Sequence, residues 1–352
     1  MTDSPRVGPK VGIRDVARHV GVSVGTVSNV INRPDQVRPD TRAKVERAMG
    51  ELHFVGSRIA SQMRSKRSSL VGVVVPDVGN PFWADVLRGV EVVLDDHQLT
   101  LVVSSSRLES QRERAILTQM DRQQVDGIIV APVTAATDIL DPFRSRRLGV
   151  VTLDRQLPGD LYRSVSLDDV RGGELAAAHL LDNGYTRLAL VNGPEAVSWS
   201  KDRRSGVRKA LRRRRLPFSK HLLEIVVHEE TTAAGVHAAA QLAETAGPRM
   251  GVVCGNDLLA LGVLLGLQQA GLHVPDDFAL VGYDDVEFAA ALSPPLTSVR
   301  QPSYEMGLSA ARLLVDGSTG EGRHVQFEPQ LIARASSGRG PAPGQPRSAR
   351  PG

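Results

Sequence analysis

Cysteine occurs once in the 352 residues, at Cys254, so an internal disulfide is excluded, and no Cys/His spacing suited to a metal ion accompanies it. The residue reads as an ordinary buried thiol on a strand. Aromatic side chains are scarce at 4%, and no stretch approaches the ~20 uninterrupted apolar residues that a helical membrane span needs. The opening MTDSPRVGPK is polar and carries no apolar segment of the kind that directs secretion, which gives the expectation of a cytoplasmic protein. HExxH and a phosphate-binding GxxxxGKS or GxxxxGKT loop are missing, and the aspartates have no base at a recognisable spacing. No catalytic residue, cofactor or metal is therefore expected. What the chain does have is bulk: 41% hydrophobic residues can bury a substantial core, and the length leaves room for two or three domains.

The first ordered signal is helical. Ile13, Val16, Ala17 and Val20 fall at i, i+3, i+4 and i+7 on one face, with Arg14, Asp15, Arg18 and His19 on the other. Gly21 suits the left-handed residue that ends a helix, and Ser23 offers a hydroxyl to cap the next one. In that second helix Val27, Val30 and Ile31 are expected to pack inward. Val24, Gly25, Thr26, Ser28 and Asn29 then form an outer face of short side chains that can approach a groove closely. A third helix opens near Pro39 and buries Thr41, Val45, Ala48, Met49 and Leu52. Any small three-helix bundle shares this spacing, but charge favours a nucleic-acid partner. Through Arg67 the chain carries 13 Lys and Arg against 6 Asp and Glu, a net of +7, whereas the whole chain is +4, leaving about −3 for the rest.

From Ser69 onward, apolar runs alternate with amphipathic stretches: VGVVVP, LTLVVSSS, GIIVAP, GVVTLD, RLALVNGP, RMGVVCGN and FALVGYDD. Strands buried on both faces with intervening helices imply parallel sheets, and so many strands suit two doubly wound lobes better than one. Ligands in such folds lie beyond the carboxyl ends of strands. The residues at those ends are Phe82 and Trp83, Asp154 and Arg155, Trp199 and Arg203, Asn256 and Asp257, and Asp284, with Gln301 in a crossover. Aromatic faces flanked by carboxylates, amides and a guanidinium suit a polyhydroxylated ligand such as a sugar, and both tryptophans fall in this set. For an aspartate such as Asp257 or Asp285, capping of the following helix is the alternative role, and for Phe82 it is core packing.

The segments DVARHVGVSVGTVSNVIN, PDVGNPFWADVLRGVE, VDGIIV, VTLDRQLP, GNDLLALGVL, LVGYDDVE and PPLTSVRQP, in this order, resemble the LacI/GalR (lactose-repressor) family of bacterial transcription regulators over residues 11 to about 337. The resemblance implies an α/β fold with an all-α helix-turn-helix headpiece (11–56), a hinge helix or linker (57–67), and a bilobed effector-binding and dimerisation domain (68–337) similar to periplasmic sugar-binding proteins. The lobes would be discontinuous, 69–166 with 299–327 and 167–298 with 328–337. The ends, 1–10 and 338–352, lack apolar periodicity and are expected to be disordered. The tail has no leucine heptads, so a homodimer is expected.

The same resemblance places Val24, Gly25 and Asn29 towards DNA bases, with Thr26 and Ser28 near phosphates. In the basic segment SRIASQMRSKR, which on its residues alone is equally a flexible linker, it gives Arg58 and Met63 DNA contacts. Met63 stands where the family usually has a leucine that wedges into the minor groove. It implies that Arg203 holds a ligand bidentately, and that Glu230 takes a position where relatives often carry an aromatic wall. That departure makes the pocket more polar and favours a sugar over a purine. The implied partners are palindromic double-stranded operator DNA, a small effector and a second copy of the chain. Two other readings compete with this one: a transport-associated sugar binder with an incidental extension, and an enzyme on a doubly wound scaffold. The polar N-terminus and the helix-turn-helix oppose the first, the missing motifs the second. The arginine-rich run Arg212 to Arg215, with Arg203, Arg204, Arg208 and Lys209 before it, reads as a solvated helix face rather than as a second nucleic-acid patch.

Overall fold

A computed structural model describes residues 11–52, 54, 68–134, 138–145, 148–157, 162–245, 249–316 and 324–338. It divides into two compact units, one ending at Ser68 and one beginning at Ser69. The hinge segment 57–67 with Arg58 and Met63, the first ten residues, and the tail beyond Gly338 lie outside the described residues.

The first unit is three helices, α1 (Ile13–Val20), α2 (Val24–Asn32) and α3 (Pro39–Glu51). The Asp15 carboxylate accepts the Gly12 N–H at 2.9 Å, which satisfies an amide that the start of α1 leaves unpaired. Gly21 ends α1 at φ 74°, where a Cβ is disfavoured. Ser23 Oγ accepts the Thr26 N–H at 3.0 Å and opens α2. Val16, Ala17, Val27, Val30, Val45 and Ala48 are the buried centre. Ile31 departs from expectation: it is 36% exposed, because the stripe that faces α1 and α3 runs through Val27 and Val30 and leaves the last turn outside.

The second unit holds two six-stranded sheets. In the first sheet, β1 (Leu70–Val75), β2 (Thr100–Ser105), β3 (Gly127–Val130), β4 (Gly149–Leu153) and β5 (Arg163–Leu167) are joined late in the chain by β11 (His324–Phe327), in the order β11-β5-β4-β3-β1-β2. The second sheet runs β12-β10-β9-β8-β6-β7, from β6 (Leu188–Asn192), β7 (Leu222–Val226), β8 (Met250–Cys254), β9 (Phe278–Asp284), β10 (Thr297–Arg300) and β12 (Gln330–Ile332). All pairings are parallel except β10 with β12. Each sheet is covered on both faces by helices, the doubly wound α/β arrangement expected from the sequence. The chain passes between sheets after β5, after β10 and between β11 and β12. Arg300 is still in the second sheet, so the second passage falls just beyond it rather than at 299.

Helix spacing decides where the site residues stand. α7 (Asp169–Asp182) and α8 (Ser198–Arg213) meet through Gly173 and Gly206. A Cβ on Gly173 would sit 2.1 Å from the Arg203 carbonyl oxygen, and one on Gly206 2.1 Å from that of Val170. Without side chains there, the two backbones touch. This contact brings Arg203 of α8 within reach of Asp169 at the start of α7.

Candidate effector cleft and DNA-facing helix

Strand β9 delivers Tyr283 and Asp284 to the second sheet's carboxyl edge, and the chain leaves it with Asp284 at φ 104° and Asp285 at φ 56°. Asp154, which follows β4 on the first sheet, is also left-handed at φ 58°. Such backbone angles are unfavourable for residues with a side chain and persist only where the surroundings impose them. Here they aim carboxylates between the sheets. Asp284 accepts Gln301 Nε2 at 2.7 Å and Asn80 Nδ2 at 3.3 Å, so a residue beyond each sheet holds it. Asn80 also caps α4 (Pro81–Asp96), accepting the Phe82 N–H at 3.0 Å. That helix start positions Phe82 and Trp83, whose rings pack edge to face at 4.9 Å.

Arg203 is buried and firmly held. Its Nε donates to Asp169 at 2.8 Å and its Nη1 to the Gly255 carbonyl at 2.5 Å, while the guanidinium lies 3.7 Å from the Tyr283 ring centroid. The Tyr283 hydroxyl donates to the same Asp169 oxygen at 2.9 Å. Burial pulls the Arg203 pKa down, but the charges of Asp169, Tyr283, Asp284 and Glu230 outweigh it and raise it overall. The carboxyls move the other way from their usual range: burial, reinforced by neighbouring aspartates, lifts Asp154 to about 8. Burial also lifts Asp284 to about 7, against the opposing pull of Arg203.

Phe82, Trp83, Asp154, Trp199, Arg203, Glu230, Asn256, Asp284 and Gln301 line one cavity of about 360 Å³ between the two sheets. Arg155 and Asp257 do not line it. Asp257 is turned into the sheet, where it accepts the Ser298 hydroxyl at 2.7 Å and the Val286 N–H at 2.9 Å. Nor does it cap its helix, since Asn256 caps α11 (Asp257–Gln269) by accepting the Leu259 N–H at 2.8 Å. Arg155 is half-buried, which lowers its pKa against the opposing charges of Asp202 and Glu113. Asp285 is likewise structural, bound by Arg300 at 2.8 Å and Arg334 at 2.6 Å. Sequence reasoning missed Pro76, Asp77, Asn80, Arg107, Leu108, Glu229 and Thr231 in the lining. Asn80 was detectable as the capping residue of an NPF helix start; the others sit on loops that carry no periodic signal.

In the headpiece Val24 is 42% exposed, Gly25 and Asn29 are exposed, and Thr26 and Ser28 are partly so. The Thr26 hydroxyl is engaged with that of Ser23 at 2.9 Å. The pentapeptide GVSVG around Ser23 has the spelling of a nucleophile elbow, but a helix and not a strand precedes it, and the serine is a helix cap. The basic run on α8 is largely neutralised in place: Arg204 and Arg208 pair with Glu224, Lys209 and Arg213 with Glu174, and Arg214 with Asp182. Among the described residues no group of three or more His, Cys, Asp or Glu is placed to hold a metal ion, and no helix is long and apolar enough to cross a membrane. Cys254 is fully buried, and burial pushes its thiol pKa up.

Comparison with known proteins joins the two units. Residues 12–57 match the model for bacterial regulatory proteins of the lacI family, and residues 177–337 that for a periplasmic binding protein-like domain. The ribose operon repressor of Escherichia coli (strain K12) is 32% identical over 336 residues, 92% of this chain and 99% of that one. The chain belongs to the LacI family. Two solved regulator structures extend the likeness through the whole fold. A lac repressor dimer bound to operator and the anti-inducer ONPF matches with TM-score 0.78 and 26% identity over 94% of this chain and 100% of that one. The transcriptional regulator CelR in complex with cellobiose matches with TM-score 0.68 and 31% identity over 93% and 99%. This LacI-family chain is thus a DNA-binding transcription regulator whose helix-turn-helix precedes a two-sheet binding domain.

Proposed function

We propose that this LacI-family regulator is a repressor of a carbohydrate uptake or catabolism operon. It binds a palindromic operator as a homodimer and is controlled by a saccharide in the cleft. The observation that carries the reading is the cavity itself. Aromatic surfaces from Phe82, Trp83 and Trp199 are set beside Asp154, Arg203, Asp284 and Gln301, an apolar face with convergent polar groups as a sugar ring requires. The relatives point the same way, one named for a ribose operon and one solved with cellobiose. On the DNA side, Val24, Gly25 and Asn29 take the base-facing positions and Thr26 and Ser28 the phosphates. Asn29 can bind an adenine edge bidentately and Val24 can meet a thymine methyl. Gly25 reads no base, so operator choice leans on Asn29 and on the hinge residues Arg58 and Met63.

The cleft works as a binder rather than as an enzyme. Asp284 is engaged by Gln301 and Asn80 and Glu230 by Trp199 and Gly193, and among the described lining residues no nucleophile is hydrogen-bonded to a base. Ligand acts by preferring one relative arrangement of the two sheets, and only a difference in affinity between arrangements can shift the DNA-binding population. The test begins by selecting binding sequences from random duplexes with the full chain, then measuring mobility shifts with and without saccharides that raise its melting temperature. A saccharide that binds and alters operator affinity supports the reading. Turnover of that saccharide, or binding with no effect on DNA, overturns it.

A further inference from the structure

Glu230 is built into the cleft more firmly than a rim residue needs to be. Its Oε2 accepts the Trp199 Nε1–H at 3.2 Å and its Oε1 the Gly193 N–H at 3.3 Å, while Asn256 Nδ2 donates to its backbone carbonyl at 3.1 Å. Two glycines make room for it: a Cβ on Gly255 would lie 2.5 Å from Oε1, and one on Gly193 would lie 3.3 Å from the carboxyl carbon. The carboxylate therefore sits where side chains from the ends of β6 and β8 would otherwise fill the wall. Each of its oxygens spends one lone pair on the protein and keeps another for a ligand. The Trp199 indole has no second N–H to offer, so this corner of the cavity presents acceptors.

In the remainder of the lining carboxyl groups outnumber cations, although burial keeps Asp154 mostly and Asp284 partly protonated near neutral pH. Five carboxyl side chains line the cavity against two guanidiniums, Arg107 and Arg203, and the buried one, Arg203, is already paired with Asp169 behind it. Gln301 Oε1 is a buried acceptor, and Asp154 Oδ1 a buried carboxyl oxygen, with no hydrogen-bond partner among the described residues. A buried acceptor left unpaired is costly, so a ligand is favoured in proportion to the donors it brings. An anionic group brings more acceptors and adds like charge at short range in a site shielded from water.

Resting on the saccharide reading above, we propose that Glu230 is a specificity-determining residue that restricts the effector to uncharged or amine-bearing saccharides. Sugar acids and sugar phosphates are excluded. Glu230 takes hydroxyl or ammonium donors at the Trp199 corner and turns anions away.

The full-length protein is screened by thermal shift and tryptophan fluorescence against matched sets: a neutral pentose, hexose and disaccharide, the corresponding amino sugar, the corresponding uronic acid and the 6-phosphate. The wild type is expected to bind a neutral or amino member at least about tenfold more tightly than its acidic counterparts. In Glu230→Gln that ratio should fall by about tenfold, because the fixed charge is lost while size is kept. Equal or tighter binding of the acidic counterpart by the wild type overturns the inference and leaves the saccharide reading standing. An unchanged ratio in a folded Glu230→Gln overturns the role of Glu230. Failure of every saccharide to bind removes the saccharide reading itself, and the inference with it.

Discussion

At the scale of single residues, Asp284 is, with Asp154, one of two cleft carboxyls whose ionisation burial displaces strongly. Its pKa is lifted by burial from the ordinary 3.8 to about 7, so between these values the native protein keeps a proton that the unfolded chain has already released. Stability from this group is therefore greatest near pH 4 and declines as pH rises through about 7. Asp284→Asn, which keeps the shape but cannot ionise, should flatten the fall in melting temperature between pH 5 and pH 8; an unchanged slope would place the ionisation elsewhere. The two tryptophans of the chain both border the cavity, and intrinsic fluorescence should change when a confirmed effector is added, with no change arguing that neither ring meets it. Asn29→Ala should weaken binding to the selected operator by ~1–3 kcal/mol while sparing random DNA. An equal loss on both duplexes would make Asn29 a phosphate contact rather than a base reader.

At the scale of elements, short devices fix where those residues stand. Ser23→Ala removes the acceptor for the Thr26 N–H and should cost the headpiece ~0.5–2 kcal/mol, seen as faster amide exchange through α2. Gly206→Ala would place a methyl 2.1 Å from the Val170 carbonyl oxygen, forcing α7 and α8 apart at a cost of ~1–3 kcal/mol. Because that separation also draws Arg203 from Asp169, ligand affinity should fall along with stability. Elements also show what the sequence could and could not reveal. Seven continuous apolar runs were readable as strands: six are largely buried, and the edge strand β2, though partly exposed, keeps the apolar run LVV. RSVSL of β5 alternates small polar residues, and the edge strands β7, β11 and β12 are partly exposed, so neither kind carries an apolar run. Positions beyond strand ends found seven cavity residues, since the fold itself sends ligands there, while Gln301 came from a crossover and Glu230 from the family resemblance. The same rule misplaced Asp257, which tethers the β9 to β10 connection. It could not reach Arg107 or Leu108, whose left-handed φ values of 54° and 58° depend on a loop conformation with no sequence period.

At the scale of the whole molecule, the claim is coupling between a helix-turn-helix and a ligand cleft carried by separate units of one chain. Asp284 is held by side chains from opposite sides of the cavity, Asn80 and Gln301. A ligand competing for any of these partners has a direct means to favour one arrangement of the sheets. Coupling is reciprocal, so whatever factor the effector imposes on DNA affinity, operator DNA must impose on effector affinity. The most direct test is a titration of the selected operator duplex with full-length protein, without and with a saturating saccharide already shown to bind, followed by the reverse titration with DNA present. The account predicts that operator Kd changes by ~5–150-fold, with the same factor in the reverse direction. A saccharide that saturates the cleft and leaves operator Kd unchanged would contradict it.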